Sequence, residues 1–256
     1  DLHSFPTRRS SDLRTYRFGV LTGADGQDWL IACTIKGACR KQVKDDWLVP
    51  GAIYVARLSG RLERFDMDRQ LALSELASHQ LQNHGFYTAP DRSFALVGTA
   101  AGVFRYAPPV TADGQWQVSC LVVNPTSDMA MADFDGDGKD EIITISRFHG
   151  DTLSVWHEDA TPDRYVKVWE DPQRRDFLHA IWAGRLAGSV CAVMGNRKDG
   201  RDLLRVWFEN GGYHVEVIDH DRGPANVWVF EDGGASHIIS ANRETDEVAL
   251  YAVSAT

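Results

Sequence analysis

Asp133-Phe-Asp-Gly-Asp-Gly-Lys-Asp-Glu141, running directly into Ile142-Ile-Thr-Ile145, is the stretch from which the rest of the chain can be read. Asp133, Asp135 and Asp137 alternate, Gly136 and Gly138 permit a tight turn, and Glu141 closes the nonapeptide before a β-branched run. Oxygen donors at the first, third, fifth and ninth places of a short loop suit a hard cation such as calcium, and Lys139 can add its backbone carbonyl from the seventh. The competing reading is a solvated Asp-Gly turn. The β-branched run after Glu141 reads as a strand that follows the loop.

Outward from this loop the chain repeats itself. Ile53–Ala56, Val103–Tyr106, Leu153–Trp156, Leu204–Trp207 and Val248–Tyr251 form one series of short apolar strands, their starts 50, 50, 51 and 44 residues apart. A second series precedes it: Leu30–Cys33, Ala95–Gly98, Glu141–Thr144, Cys191–Met194 and His237–Ser240. A third follows in the middle repeats, at Trp116–Val122, Tyr165–Trp169 and Tyr213–Ile218. Gly, Asp and Pro turns bound all three, and alternation is partial. Leu71–Gln82 has some helical spacing and is read as a connecting excursion. Four strands in about 45–50 residues is the period of a β-propeller blade. The expectation is an all-β fold, a β-propeller of four-stranded antiparallel blades. Five are visible, over residues 14–83, 84–126, 127–172, 173–223 and 224–256, the last incomplete.

The acidic loop resembles the signature of the FG-GAP/VCBS repeat family, the propeller blades also found at the head of integrin alpha chains. Asp133, Asp135, Asp137, Lys139 by its carbonyl and Glu141 match that pattern one by one. The resemblance implies a structural Ca2+ at this loop, between the first and second strands of a blade, and a seven-bladed parent of which this chain is a fragment. The other repeats depart from the pattern. Thr22, Ala24, Gly26 and Leu30 stand where the first repeat would carry its acids, and Gly184–Gly188 holds no carboxylate.

In a propeller the loops joining second to third strands, and one blade to the next, lie on the face opposite the acidic loop. They contain Arg147 and His149, Asn196 and Arg197, and Asn242 and Arg243 as candidate ligand-binding residues. A guanidinium fork suits a carboxylate or sugar hydroxyls, although exposed loops are polar in any case. His84 and His179 precede innermost strands and are candidates for a proton shuttle or metal ligand, or are plain hydrogen-bonding histidines. An insertion, Lys36–Pro50, brings Asp45 and Asp46 as further acid–base candidates and Trp47 as a stacking platform for a sugar ring. It resembles loops of FG-GAP-like propellers related to sugar-acting lyases and dehydratases; packing of the loop onto the rim is the plainer account.

Composition narrows the class without choosing a chemistry. The 256 residues are 43% hydrophobic and 25% charged, with net charge −9, and the basic cluster Lys36–Lys44 is short, so nucleic acid is an unsuitable partner. No apolar stretch approaches the roughly 20 residues that span a bilayer. Cys120 and Cys191 lie in apolar runs, and Cys33 and Cys39 match no strong metal spacing. Ser4–Leu13 resembles a translated sequencing adapter, so residues 1–13 are expected to be disordered and foreign to the fold. The true N-terminus is then missing, which leaves extracellular and cytoplasmic locations both open. The expected function is a calcium-stabilised FG-GAP/VCBS-like binding or scaffold module for a carbohydrate or protein surface. The alternative is a carbohydrate-active lyase or dehydratase with its polar site opposite the calcium loop. A structural module of a larger polypeptide is a third option, and whether the protein is an enzyme stays open.

Overall fold

The computed structural model describes residues 15–37, 47–58, 71–111 and 114–253. Residues 1–13, Cys39, Asp45 and Asp46 lie outside the described residues, and with them the adapter segment and two acid–base candidates.

The described residues form nineteen strands in five antiparallel sheets. The first holds β1 (Thr15–Thr22), β2 (Asp28–Thr34), β3 (Gly51–Arg57) and β4 (Ser74–Gln80). The second holds β5 (Gly85–Thr88), β6 (Ala95–Thr99), β7 (Gly102–Ala107) and β8 (Gln117–Val122). β9 (Asp128–Ala132), β10 (Glu141–Ser146), β11 (Thr152–Glu158) and β12 (Tyr165–Glu170) make the third. β13 (Leu178–Leu186), β14 (Ser189–Asn196), β15 (Leu203–Glu209) and β16 (Gly212–Asp219) make the fourth. The fifth has three strands, β17 (Pro224–Asp232), β18 (Ala235–Asn242) and β19 (Glu247–Val253).

All three strand series read from the sequence fall on strands, so the all-β class stands. The β-propeller does not. Each sheet is an open meander whose strand ladders run only between its own consecutive strands, and none closes into a ring. The FG-GAP/VCBS, integrin-like blade architecture is corrected accordingly. Turn spacing and alternation encode hairpins between neighbouring strands. Closure depends on long-range packing that a repeat period does not contain. A second correction concerns Leu71–Gln82, whose core is β4. Its side chains are mostly exposed and its pairing with β3 shifts register at Gly51/Ile53 and at Ile53/Tyr54. Backbone hydrogen bonds to β3, rather than an apolar pattern of its own, make it a strand.

The chain divides into two compact units, 1–119 and 120–256, with the division falling in β8. In the first, Ile31 and Cys33, Ile53 and Val55, and Ala95 and Val97 project from alternate positions of β2, β3 and β6 into one core with Leu21 and Tyr106. Each fully buried aliphatic side chain there stabilises the fold by roughly 1.5–3 kcal/mol. A Cβ on Gly51 would lie 2.1 Å from the Thr34 carbonyl oxygen, so only glycine lets β2 and β3 approach there.

The second unit shows a burial gradient across a meander. β9 and β10 are buried along their whole length, while β12 at the outer edge has no buried residue and is exposed over half of its length. Strands covered on both faces read as continuous apolar runs, which is why Glu141-Ile-Ile-Thr-Ile-Ser146 lacks alternation. Leu186, Cys191, Val193, Leu203, Val227, Val229 and Ile238 form a further core linking the fourth and fifth sheets. Among the described residues no helix is long and apolar enough to cross a membrane.

Candidate functional site

Two groups in the second unit collect chemistry, one at each end of β10.

At the first end lies the acidic turn between β9 and β10. Gly136 and Gly138 take φ of 78° and 89°, the left-handed region that a Cβ disfavours. The turn is wound by its own carboxylates. Asp133 accepts from the Gly136 N–H at 2.8 Å with one oxygen and from the Gly138 N–H at 3.1 Å with the other. Asp135 accepts from Asp137 N–H (3.1 Å) and Asp137 from Lys139 N–H (2.8 Å), each through Oδ1. Glu141, fully buried, accepts from Phe134 N–H through Oε2 at 2.8 Å. Its Oε1 is buried without a hydrogen-bond donor.

The pairing of β10 with β11 brings in a residue the loop's spacing does not contain. Ile142 faces Trp156, and one position further along the ladder His157 stands beside Glu141. Its Nε2 is 3.0 Å from Asp137 Oδ2 and 3.6 Å from Glu141 Oε1. Its Nδ1 lies 2.7 Å from the Glu158 carbonyl oxygen, which can only accept, so Nδ1 bears a proton. Ligand atoms of Asp135, Asp137, Glu141 and His157 all lie within 4.8 Å of one another.

Electrostatics follow from this crowding. Burial, with Asp135 adding repulsion, pushes the Glu141 carboxyl up to about 7. The backbone hydrogen bond from Lys139, then that from His157, holds Asp137 below the usual carboxylate range. The bond to Asp137 raises His157. Burial raises the neighbouring Tyr213 phenol, and Glu141, Asp135 and Asp137 raise it further. An unpartnered buried carboxylate oxygen beside a negative cluster is the arrangement a cation relieves. The donor set therefore fits a divalent ion. Asp133, expected as a ligand, lies outside this cluster of side chains.

At the other end of β10, about 20 Å away at the rise of an extended strand, three segments meet. The β10–β11 loop carries Arg147, Phe148 and His149; the β12–β13 connection carries Phe177; and Arg197 follows β14 directly. Backbone bonds tie them together: Leu178 N–H to Gly150 O (2.8 Å) and Arg197 N–H to Phe177 O (2.9 Å). His149 (φ 51°), Phe177 (φ 61°) and Ala180 (φ 62°) sit in the left-handed region. For side chains as bulky as His149 and Phe177 such a backbone is held by its surroundings, and it recurs at functional sites. At Ala180 the ladder between β13 and β14 slips, a bulge that re-aims His179.

The side chains converge. The His149 ring stacks on Phe148 (centroids 3.9 Å apart), meets Phe177 edge-on (4.5 Å) and lies 5.6 Å from the His179 ring. Arg197 covers the Phe177 ring at 4.6 Å, and its guanidinium is held by Glu244 at 2.6 Å. His179 Nδ1 donates to the Ala225 carbonyl at 2.9 Å. Burial first, then His179 and Arg197, push the His149 imidazole down to about 4, so it is neutral at physiological pH.

The other predicted residues are placed differently. Asn196 and Asn242 are buried and close their own turns. Asn196 accepts from Asp202 N–H at 2.7 Å and donates to Lys198 O; Asn242 donates to Glu247 at 3.0 Å. Arg243 is exposed in a short 3-10 turn, Arg243–Thr245, and Arg147 is exposed. In the first unit His84 is buried against Tyr16, with Nε2 3.0 Å from its hydroxyl. Trp47 receives the Lys36 ammonium 5.0 Å from its ring centroid. Sequence reasoning did not single out Phe148, Phe177 or His157 for a site. Phe177 sits among charged loop residues, a visible signal; His157 has none in the sequence.

No family model matches this chain, and no curated protein matches it. Solved structures do resemble it. SapL1 lectin in complex with α-methyl fucoside is 10% identical, the match covering 95% of this chain and 82% of the lectin with a TM-score of 0.54. A protein from Bacteroides fragilis NCTC 9343, proposed to be a 6-phosphogluconolactonase, is 12% identical over 92% of this chain and 76% of its own, with a TM-score of 0.52. At these identities the likeness is one of fold. It sets the chain beside a lectin and a lactonase-like protein, and the expectation of a calcium-stabilised FG-GAP/VCBS scaffold module is corrected on that ground.

Proposed function

We propose that the protein acts on a carbohydrate at the site formed by Phe148, His149, Phe177, His179 and Arg197, by proton transfer of the lyase or dehydratase kind, on a sugar that carries a carboxylate. One observation carries this reading: a half-buried, neutral imidazole lies against two phenyl rings with a guanidinium beside it. A neutral imidazole can accept a proton, which an imidazolium cannot. Aromatic faces suit the apolar faces of a sugar ring. Exposed Arg147 supplies a guanidinium at the rim that suits an anion, beside Arg197 and Lys198, which are paired with Glu244 and Asp176. A bound carboxylate would offset the repulsion that lowers His149, lifting its basicity when substrate is present. In the elimination this fits, His149 takes the proton from the carbon next to the sugar carboxylate. The C–O bond on the adjacent carbon then breaks as the C=C bond forms, and the His149 imidazolium returns its proton to the leaving oxygen, which regenerates the neutral base. The fold shared with a fucoside-bound lectin and a proposed sugar-lactone hydrolase supports a sugar ligand by analogy only.

The test is a titration of the histidine ring signals with glucuronate, galacturonate, methyl fucoside and glucose. It is paired with an ultraviolet assay for the unsaturated product of uronate elimination. Uronate-selective shifts at His149 and His179, with turnover lost in His149→Asn, are expected. Binding of neutral sugars without turnover would replace the enzyme with a lectin, and silence towards every sugar would sink both.

A second reading concerns the turn Asp133–Glu141, which we propose holds a divalent cation; the orphaned Glu141 Oε1 is the observation behind it. The resident cation would neutralise the carboxylates and pin β9 to β10. Its removal by chelation is expected to lower the melting temperature, and a melting temperature indifferent to chelator and to added cations speaks against it.

A further inference from the structure

We infer that the cation at this turn is a borderline transition dication of the zinc or cobalt type, bound by the His157 imidazole together with Asp135, Asp137 and Glu141, rather than an all-oxygen calcium ion. The inference rests on the cation reading just given and names its chemical class.

Three observations carry it. The first is orientation. His157 Nδ1 is committed as a donor to the Glu158 carbonyl at 2.7 Å, so in the neutral ring Nε2 presents its lone pair to the acidic cluster. A ligating histidine is held in this way, its other nitrogen anchored by a carbonyl.

The second is spacing. Nε2 lies 3.0 Å from Asp137 Oδ2 and 3.6 Å from Glu141 Oε1. With metal–ligand bonds near 2.0–2.1 Å, two ligand atoms of a tetrahedral centre stand about 3.4 Å apart. The two distances bracket that edge. Neighbouring ligands of a six-coordinate calcium stand about as far apart, so the spacing admits either ion, and calcium's demand for about 6–8 oxygen ligands is what separates them.

The third is the donors left over. Asp133, the first oxygen ligand of an all-oxygen loop, gives both carboxylate oxygens to the Gly136 and Gly138 N–H groups and stands outside the cluster. Asp135 and Asp137 each use Oδ1 on the backbone, and Asp137 turns Oδ2 toward His157. Glu141 Oε1, on a fully buried side chain, has no hydrogen-bond donor and faces the same point. One nitrogen and carboxylate oxygens make a set on which imidazole selects against calcium and magnesium.

The experiment uses the full chain, stripped with chelator and desalted. Co2+ is titrated by its visible d–d absorption, Zn2+ by competition with Co2+, and Ca2+ separately by calorimetry. The same series is run on His157→Ala and Glu141→Gln. Expected are one Co2+ per chain with the intense band of a four-coordinate site, displacement by Zn2+, at least tenfold weaker binding in His157→Ala, and weaker Ca2+ binding throughout. In the wild-type protein Zn2+ must also shift the His157 Nε2 nitrogen-15 resonance more than Nδ1, a readout that does not depend on a variant folding. Tight Ca2+ binding unchanged in His157→Ala, with no such nitrogen shift, overturns the inference and leaves the cation site standing. Failure of all three cations to bind overturns the inference and the cation reading together.

Discussion

Replacing His149 by Asn should flatten the acid limb of the stability profile. The imidazole is pushed from 6.5 to about 4, chiefly by burial and then by His179 and Arg197. The unfolded chain therefore binds a proton between these values that the folded chain refuses. Stability rises with pH wherever the unfolded state holds more protons. The group thus costs nothing above about pH 6.5, and its cost grows as pH falls, becoming complete below about 4. At about 1.4 kcal/mol per pH unit the full effect is about 3 kcal/mol. Asn keeps a residue that tolerates the left-handed φ of 51° and removes the titration. Urea unfolding of wild type and His149→Asn at several pH values between 7.5 and 4 gives the difference directly, since titrations common to both cancel. The wild type should lose about 3 kcal/mol relative to the variant across that interval. A constant difference, or a His149 ring proton titrating near 6.5 by NMR, would refute the burial argument and with it the neutral base of the proposed site.

Glu141→Gln replaces a buried carboxylate by a neutral group of the same shape that can still accept from Phe134 N–H. In chelator at pH 8 it should be more stable than wild type by about 1–3 kcal/mol, and it should lose the melting-temperature gain from added dication, both checked by thermal unfolding. Gly150→Ala would place a Cβ 2.2 Å from Arg147 N and 2.3 Å from Ser146 O. The loop must shift, and weakened sugar binding with the His149 ring signals displaced is expected. Arg175 is buried between Asp171 (3.1 Å) and Asp202 (3.7 Å). Arg175→Met should cost about 3–5 kcal/mol in urea unfolding because buried Asp171 loses its cation and Asp202 keeps only His220, without changing cation stoichiometry.

Read as local pattern, the chain was largely legible. The three strand series lie on β2, β3, β6, β7, β8, β10, β11, β12, β14, β15, β16, β18 and β19, because β-branched and aromatic runs between turn residues act over a few positions. β4 was missed for the converse reason: its exposed, weakly patterned side chains carry little signal. The Asp-Gly alternation of the acidic turn was legible too, since Gly136 and Gly138 are needed where φ is positive.

An all-β chain of repeated hairpins, a carboxylate-rich turn before β10 and polar loops beyond the strand ends follow from the local order of residues. Tertiary structure alone decided that the sheets are open meanders, since closure depends on contacts between residues far apart in the chain. It also decided the ligand set of the acidic turn. His157 lies 16 residues beyond Glu141, and only the β10–β11 register, with Ile142 facing Trp156, brings its Nε2 to 3.6 Å from Glu141 Oε1. His149, Phe177, His179 and Arg197 likewise meet because backbone bonds from Leu178 to Gly150 and from Arg197 to Phe177 gather three separate connections. Spacing along the chain fixes which residues share a turn; pairing between strands fixes which turns share a site.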